Sequence, residues 1–333
     1  MAPERGVRVS VVILNWNTRD MTLECIDSVR KALAAEACEI IVVDNGSTDG
    51  SVEAFREAYS DVTVLALPEN LGFPRGMNTG LAQAKGRFLV ALNSDTLVGP
   101  GSIQRLLDRL EANPGVGAAT GEQRMGDGSF LPSGFRFPRL SDDVLVGIGF
   151  LAFGPALLRR WPRMTSWFHA TGVGEVDWVR GSFVVVRREV FEQVGGFPDE
   201  FFMYGEDLAW CRRIRAAGWR IEYVPGAPIT HLGGKSSERL LGIDREVRIL
   251  DTGAIDARRH RHPVGWRLGW LLRAWYWAVV AAKWAVIGTV TRDPEAWARS
   301  RVLRALAWAH VELVFGLRAP DPLTVDRIHA RGP

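Results

Sequence analysis

Short apolar runs alternate with amphipathic stretches along the first two thirds of the chain. Val7 to Leu14 is apolar and β-branched, and reads as a buried strand. Leu23, Ile26, Val29 and Leu33 then recur at helical spacing. Glu39 to Val43 is a second strand, and Val52 and Phe55 mark the inward side of a second helix. Val62 to Leu67 predicts a third strand, followed by a helical stretch with Met77, Leu81 and Ala84 inward. Phe88 to Leu92 is a fourth strand. The helix marked by Ile103, Leu106, Leu107 and Leu110 stops at Asn113-Pro114-Gly115, and Val116 to Thr120 is a short strand. This alternation predicts right-handed βαβ units, hence an α/β fold with a mostly parallel central sheet flanked by helices.

After Gly121 the pattern weakens. Gly126-Asp127-Gly128 reads as a hairpin turn. Phe130 to Trp167 is rich in Phe, Pro, Arg and Gly without a steady period, as expected of a binding loop or lid. Regularity returns with a strand over Ser182 to Val186 and a short helix over Arg188 to Val194, closed by Gly195-Gly196. A further helix runs to Ala217 and ends at Gly218, and Trp219 to Val224 is a strand. It leads to Ile229-Thr230-His231-Leu232-Gly233-Gly234.

Beyond Val264 the character changes. Trp266, Trp270, Trp275, Trp277 and Trp284 crowd an apolar stretch that also holds Arg267, Arg273 and Lys283. An interior Arg or Lys costs roughly 2.5–3.5 kcal/mol in a membrane-spanning helix, which argues against a span. Tryptophan with arginine suits a helix lying in the headgroup layer. The alternative is a helical pair packed on the rest of the chain or on a second subunit, and the stripe Val302, Leu303, Leu306, Leu313 and Val314 fits it. The organisation expected is a first region over 1–240 and a C-terminal helical, membrane-associating region over 241–333.

Composition narrows the picture only slightly. The chain has 333 residues and a net charge of +3, too modest a basic balance to indicate nucleic acid. Cys25, Cys38 and Cys211 are odd in number and far apart, which suggests buried free thiols in a reducing compartment. The first apolar stretch is too short and too β-branched for a signal peptide, so a cytoplasmic location is expected.

Candidate chemistry gathers where strands end: Asn15-Trp16-Asn17, Asp44-Asn45, Asn70, and Asn93-Ser94-Asp95. Parallel strands end on the same side of a sheet, so four polar ends imply a shared cleft. A carboxylate such as Asp95 suits a hard cation completed by substrate phosphates, although an Asx turn would also explain Asn93 and Asp95. Neither Gly-x-Gly-x-x-Gly after the first strand nor a P-loop is present.

Seven stretches carry a resemblance: Val-Val-Ile-Leu-Asn-Trp-Asn (11–17), Val-Val-Asp-Asn-Gly-Ser-Thr-Asp-Gly (42–50), Glu-Asn-Leu-Gly-Phe (69–73), Arg-Gly-Met-Asn-Thr-Gly (75–80), Leu-Asn-Ser-Asp-Thr (92–96), Gly-Gly-Phe (195–197) and Phe-Phe-Met-Tyr-Gly-Glu-Asp (201–207). In this order they resemble the inverting family 2 glycosyltransferases of GT-A fold, rhamnosyltransferase-type members above all. The resemblance covers about residues 7 to 235 and implies a donor half to about 120 and an acceptor half over about 121–240.

It implies that Asp44 accepts the imide N–H of uracil or thymine, a donor that a carboxylate suits. Trp16, Asn17, Asn45, Asn70, Gly72, Arg75, Asn78, Asn93, Ser94 and Asp95 would complete the donor site. Asn93 stands where the family motif begins with Asp, which removes a charge. Asp95 would be the principal ligand to Mg²⁺ or Mn²⁺, with His231 completing the metal site. Of the acids Glu206 and Asp207, the match favours Asp207 as the general base; Ala209 stands where relatives often carry a further acid. Trp178, Gly181 and Tyr204 would border the acceptor.

The expected function is metal-dependent inverting transfer of a sugar, first rhamnose, from a dTDP- or UDP-sugar to a glycan or polyprenyl-linked acceptor in cell-surface polysaccharide synthesis. The setting expected is the inner membrane face, with a homodimer as a further expectation. Two rivals stand beside it: a nucleotidyltransferase that makes sugar nucleotides, and a non-catalytic glycan- or nucleotide-binding subunit.

Overall fold

The computed structural model describes residues 7–34, 36–149, 173–233 and 235–320, with the backbone alone over 235–247. The chain divides into two compact units. One takes residues up to Arg136 together with Trp167–Arg239; the other takes Phe137–Ser166 and Leu240–Pro333.

The first unit is built on a ten-stranded sheet. β1 (Val9–Asn15), β2 (Cys38–Asp44), β3 (Thr63–Ala66) and β4 (Phe88–Asn93) form a parallel block in the order β3-β2-β1-β4. β5 (Thr96–Val98) follows β4 after a two-residue turn. β6 (Val116–Met125) and β7 (Phe130–Leu131) form the hairpin expected at Gly126-Asp127-Gly128. β8 (Gly134–Phe135) pairs with β10 (Trp178–Val179) as a separate ribbon. β9 (Gly174–Val176), β11 (Phe183–Arg187) and β12 (Arg220–His231) complete the set. β11 is wedged antiparallel between β4 and β6, and β12 runs parallel to β6. Six strands therefore share one direction, the mostly parallel sheet that the alternation predicts.

The period-two alternation of each strand sorts side chains onto two faces. Val9, Val11 and Ile13 of β1, with Phe88, Val90 and Leu92 of β4, meet α1 (Arg19–Ala32), α2 (Ser51–Ala58) and α4 (Ser102–Ala112). Val12, Leu89 and Ala91 meet α3 (Phe73–Gln83), α6 (Arg188–Val194) and α7 (Glu206–Ala216) on the other face. Each buried Val, Leu or Phe contributes roughly 1.5–3 kcal/mol. Two closed cores thus clamp the sheet and hold its strand ends rigid.

Several expectations change. β3 is shorter than Val62–Leu67, because it is an edge strand with few buried side chains. β6 continues five residues past Thr120, because β7 and β12 supply its hydrogen bonds. β12 absorbs the expected break after Val224 as a register shift and carries His231 as its last residue. β5 lies in a segment too short to show a period. Cys25 and Cys211 are buried free thiols, but Cys38 is half-buried at the start of β2, ahead of the residues that pair with β3. The stretch 150–167 of the expected lid lies outside the described residues; its first part contains α5 (Leu140–Gly147).

The second unit is helical. α8 (Lys235–His260), α9 (Pro263–Thr291) and α10 (Pro294–Phe315) join α5 around a small core of Leu250, Ala254, Ala257, Trp266, Trp270, Ala309, Leu313 and Val314. Asp143 of α5 is fully buried and bridges Arg261 (2.7 Å) and Arg273 (2.5 Å). Of the five crowded tryptophans, Trp266 and Trp270 face inward, Trp277 and Trp284 are half-buried, and Trp275 is exposed. Among the described residues no helix is long and apolar enough to cross a membrane.

Candidate active site

The strand ends meet as neighbours. In the sheet register Asn15 faces Asp44 and Leu14 faces Asn93, so three polar ends share one edge. Asn15 is the hub. Its Nδ2 donates to Asp44 Oδ2 (2.6 Å) and Ser47 Oγ (3.1 Å), and its Oδ1 accepts from Thr18 and Thr22 (2.8 Å each). Thr18 Oγ1 also lies 2.8 Å from Ser94 Oγ. One buried amide therefore ties the β2 end to the β4 end. Asp44 is 1% exposed, and its other oxygen accepts from the Ser47 N–H (2.9 Å).

Asn17 has a positive φ of 52°; Ser47 Oγ accepts its N–H, and its Oδ1 accepts the Thr48 N–H. Trp16 beside it is half-buried. Asn45 is buried and braces the next loop, donating to Asn70 Oδ1 (2.9 Å) and Gly72 O (3.1 Å) and accepting from the Leu71 N–H (3.0 Å). Gly72 has φ +83°, and a Cβ there would lie 2.5 Å from Phe202 O, so no other residue fits. The Phe73 N–H donates to that same carbonyl, stitching this loop to the one before α7. Arg75 is exposed on the first turn of α3. Asn78 differs in kind, since its amide binds both the N–H and the carbonyl of Phe197 (2.9 and 2.7 Å). Its role visible here is to hold the Gly195-Gly196-Phe197 turn.

Asp95 sits in the β4–β5 turn. β12 pairs with β5 so that His231 faces Thr96, and His231 Nε2 comes 3.0 Å from Asp95 Oδ2. Both residues are largely buried. Asn93 Oδ1 and His231 Nδ1 are buried without hydrogen-bond partners. Buried polar atoms are normally satisfied, so two orphans beside one carboxylate point to a ligand that completes them. No cluster of three His, Cys, Asp or Glu suited to a metal ion occurs among the described residues. A carboxylate, an imidazole and an amide oxygen do fit a divalent ion whose other ligands are phosphate oxygens and water.

The acids of α7 reach the same edge through β11. The Asn93 N–H donates to Ser182 O (3.0 Å), and the preceding residue, Gly181, directs its N–H at Asp207 Oδ2 (3.4 Å). Glu206 and Asp207 open the helix behind Tyr204 and Gly205, both with positive φ (70° and 93°). A non-glycine there stores about 1–3 kcal/mol of strain, which fixes how α7 begins. Burial, together with the charge of Asp207, pushes the Glu206 carboxyl well above its ordinary range, and its Oε2 has no partner. Burial also raises Asp207, but the Leu208 N–H, the Arg180 guanidinium and the Gly181 N–H pull the other way. Both carboxyls are held above their ordinary range, and Asp207 is the one with N–H and guanidinium groups that favour its ionised form. Trp178 stacks on Phe135 at 4.3 Å and donates to Arg136 O, so it is fixed in the β8–β10 ribbon.

Thr18, Ser47 and Ser182 are missing from the site residues picked out of the sequence, and Asn15 enters there only as a polar strand end without a role. Asn15 carried a signal, a polar residue closing an apolar run. Gln123 carried none; it is fully buried on β6, accepts from Ser182 Oγ (3.0 Å), and leaves its Nε2 without a partner.

A mixed sheet with a carboxylate turn at one edge and a buried acid pair beside it is the GT-A fold. Solved structures agree: a mannosyltransferase of Pyrobaculum calidifontis in complex with GDP-Man and Mn²⁺ covers 95% of this chain and 89% of its own at TM-score 0.55 and 19% identity. GalNAc-T7 with UDP, GalNAc and Mn²⁺ covers 69% and 44% at TM-score 0.50 and 17% identity. The model of glycosyl transferase family 2 matches residues 10–161, and that of glycosyl transferase family group 2 matches 88–315. An N-acetylglucosaminyl-diphospho-decaprenol L-rhamnosyltransferase of Mycobacterium tuberculosis is 33% identical over 251 residues, 69% of this chain and 79% of that protein. The O-antigen biosynthesis protein RfbC of Myxococcus xanthus is 28% identical over 239 residues, 69% of this chain but 18% of that protein. The chain belongs to the family 2 glycosyltransferases, as a rhamnosyltransferase-like member.

Proposed function

We propose that this enzyme transfers rhamnose, with inversion, from a dTDP- or UDP-sugar to a glycan on a lipid carrier, at the inner face of the cell membrane, in cell-surface polysaccharide synthesis. Asp207 takes the proton of the acceptor hydroxyl as that oxygen attacks the anomeric carbon. Glu206 is its buried neighbour, whose carboxyl is also raised. Asp44, steered by Asn15 and the Ser47 N–H, accepts the imide N–H of the base. Trp16, Asn17 and Arg75 border the nucleotide, and Asn45, Asn70 and Gly72 shape the loop beside it. Asp95, His231 and the side-chain Oδ1 of Asn93 would hold Mg²⁺ or Mn²⁺, which when bound neutralises charge on the departing diphosphate. Gly181 and Tyr204 border the acceptor, with Trp178 in the ribbon behind Gly181. The sugar and the lipid-linked acceptor follow those named for the mycobacterial relative.

The observation that carries the reading is the Asp95–His231 contact with two orphaned polar atoms beside it, tied through Ser182 and Gly181 to Asp207. The test is nucleoside diphosphate release from dTDP-rhamnose and a panel of UDP- and GDP-sugars, with a polyprenyl-diphosphate-linked amino sugar as acceptor, in Mg²⁺, Mn²⁺ or chelator. Acceptor-dependent release from a pyrimidine donor, abolished by chelator, is expected. Release from GDP-sugars alone would overturn the assignment of Asp44, and full activity in chelator that of Asp95 and His231.

A further inference from the structure

α9 is apolar on two opposite sides. Trp266, Gly269, Trp270, Ala274, Ala281 and Gly288 are buried. On the side turned away from them lie Val264, Leu268, Trp275, Val279, Val286 and Val290, all 46–77% exposed. These six repeat with a period of eleven: 264, 275 and 286, then 268, 279 and 290. Eleven residues make three turns at about 3.67 residues per turn, so the stripe runs almost straight along the helix. It spans roughly 39 Å at 1.5 Å per residue. A stripe of this size on a water-facing surface marks a contact with something apolar.

α10 adds a second exposed stripe of different composition. Trp297, Arg301, Arg304, Trp308 and Phe315 follow one another at spacings of four, three, four and seven, which keeps them on one face. At the turn between the helices, Thr289, Arg292, Trp297 and Arg301 line a groove of about 600 Å³. Arg292, Arg301 and Arg304 have no acidic partner among the described residues.

The charges decide what covers these stripes. Residues 263–320 hold eight Lys and Arg against three Asp and Glu, and α9 has no acidic residue. Arg267 and Lys283 flank its exposed stripe. A second copy pairing through α9 would bring these cations together with no acid to meet them, whereas helix pairs normally carry opposite charges at the flanks. An anionic lipid surface answers the cations, the tryptophans and the aliphatic stripe together.

We propose that the Val264–Val290 stripe of α9 and the Trp297–Phe315 stripe of α10 dock the enzyme on an anionic bilayer, with the helices lying in the interfacial layer. The proposal deepens the reading of a lipid-linked acceptor and rests on it for which membrane is meant. The full chain is co-sedimented with phosphatidylcholine vesicles, with and without phosphatidylglycerol. Two variants accompany it: Arg301→Glu with Arg304→Glu, and Leu268→Glu with Val279→Glu and Val286→Glu.

Wild type should bind the anionic vesicles and be weakened, not released, by salt. The arginine variant should lose about fivefold or more for each charge removed. The aliphatic variant should lose the salt-resistant part. Both should keep the wild-type melting temperature and wild-type turnover on a water-soluble acceptor analogue, because every substituted side chain is exposed. Wild type remaining in the supernatant at low salt, or an aliphatic variant that binds like wild type, overturns the proposal. So does a wild-type dimer that ignores vesicles and becomes monomeric in the aliphatic variant, which would make the stripe a self-association face. Vesicle binding without any sugar transfer leaves docking standing and removes the transferase reading instead.

Discussion

The two units differ in how much apolar surface they leave exposed. In the sheet unit strand alternation puts nearly every large apolar side chain into two closed cores, and the exceptions to burial rules are polar. Asn15, Asp44, Asn45, Ser94, Asp95 and Glu206 are buried at one sheet edge. The helical unit buries polar groups too, Asp143, Asp251, Ser300 and His310 among them, but it also leaves large apolar side chains exposed. Of the sixteen exposed large hydrophobics among the described residues, only Phe130 and Val173 belong to the sheet unit. Buried polarity stores unsatisfied electrostatics for a reaction, and exposed apolarity stores surface for a partner. The exposed apolar surface sets the helical unit apart, and it is the surface on which we propose attachment.

The sharpest test of that division is Asp207→Asn. Turnover should fall by roughly 10²–10⁴-fold, the usual share of a general base, with donor affinity and vesicle binding unchanged. Equal turnover would remove Asp207 from the role. A matching loss in the Arg301→Glu, Arg304→Glu variant on a soluble acceptor would dissolve the contrast.

Next in size is Asp143→Ala in the helical unit. It leaves Arg261 and Arg273 without the buried carboxylate they share, and breaking a buried pair costs about 3–5 kcal/mol. The core around Trp266 and Trp270 is small, so calorimetry should show an early transition for this unit while donor binding survives at low temperature. One concerted transition that abolishes donor binding would mean that the two units do not fold separately.

How much of this was legible follows the same division. The parallel block was readable because each of its strands is a closed apolar run ended by a polar group, and Asp44 and Asp95 fall at those ends. The acid pair was readable through the Phe201–Asp207 motif. β11 gave away its existence but not its antiparallel insertion, since Phe183 to Val186 is buried on both faces and would look the same either way. Gln123 and Ser182 were hidden because their meeting depends on that insertion. The helical unit misled most. Its tryptophans read as one set, but burial splits them, and Arg273, which counted against a membrane span, is paired with Asp143. Once Arg273, Trp266 and Trp270 are taken inward, the eleven-residue stripe stands clear.

A smaller effect is expected at the base site. Asp44→Ala should weaken dTDP and UDP binding by about 1–3 kcal/mol, the usual penalty for stranding a buried donor, as read by titration calorimetry. GDP binding, if measurable, should not change. A parallel loss for all three nucleotides would instead mean that Asn15 and Ser47, freed from Asp44, let the whole edge relax.

The smallest effect is a displacement along the pH axis. Burial raises the Asp207 carboxyl while the Arg180 guanidinium lowers it. As a base Asp207 works only when ionised, so turnover should climb with pH along an acid limb centred above the ordinary Asp value of about 3.9. Arg180→Met removes one of the lowering influences, so the limb should move to higher pH with little change in plateau. A limb that moves down, or stays, would show that Arg180 does not act on this carboxyl. Stability carries the opposite sign. A carboxyl raised by folding binds its proton more tightly in the native state, so between the unfolded and folded values stability falls as pH rises. Glu206 is raised well above its ordinary value, so it contributes to this loss. Glu206→Gln should therefore melt at a higher temperature than wild type at pH 8 and gain nothing below the ordinary Glu value of about 4.3. An equal gain at both pH values would mean that packing, not the charge, is what the substitution relieves.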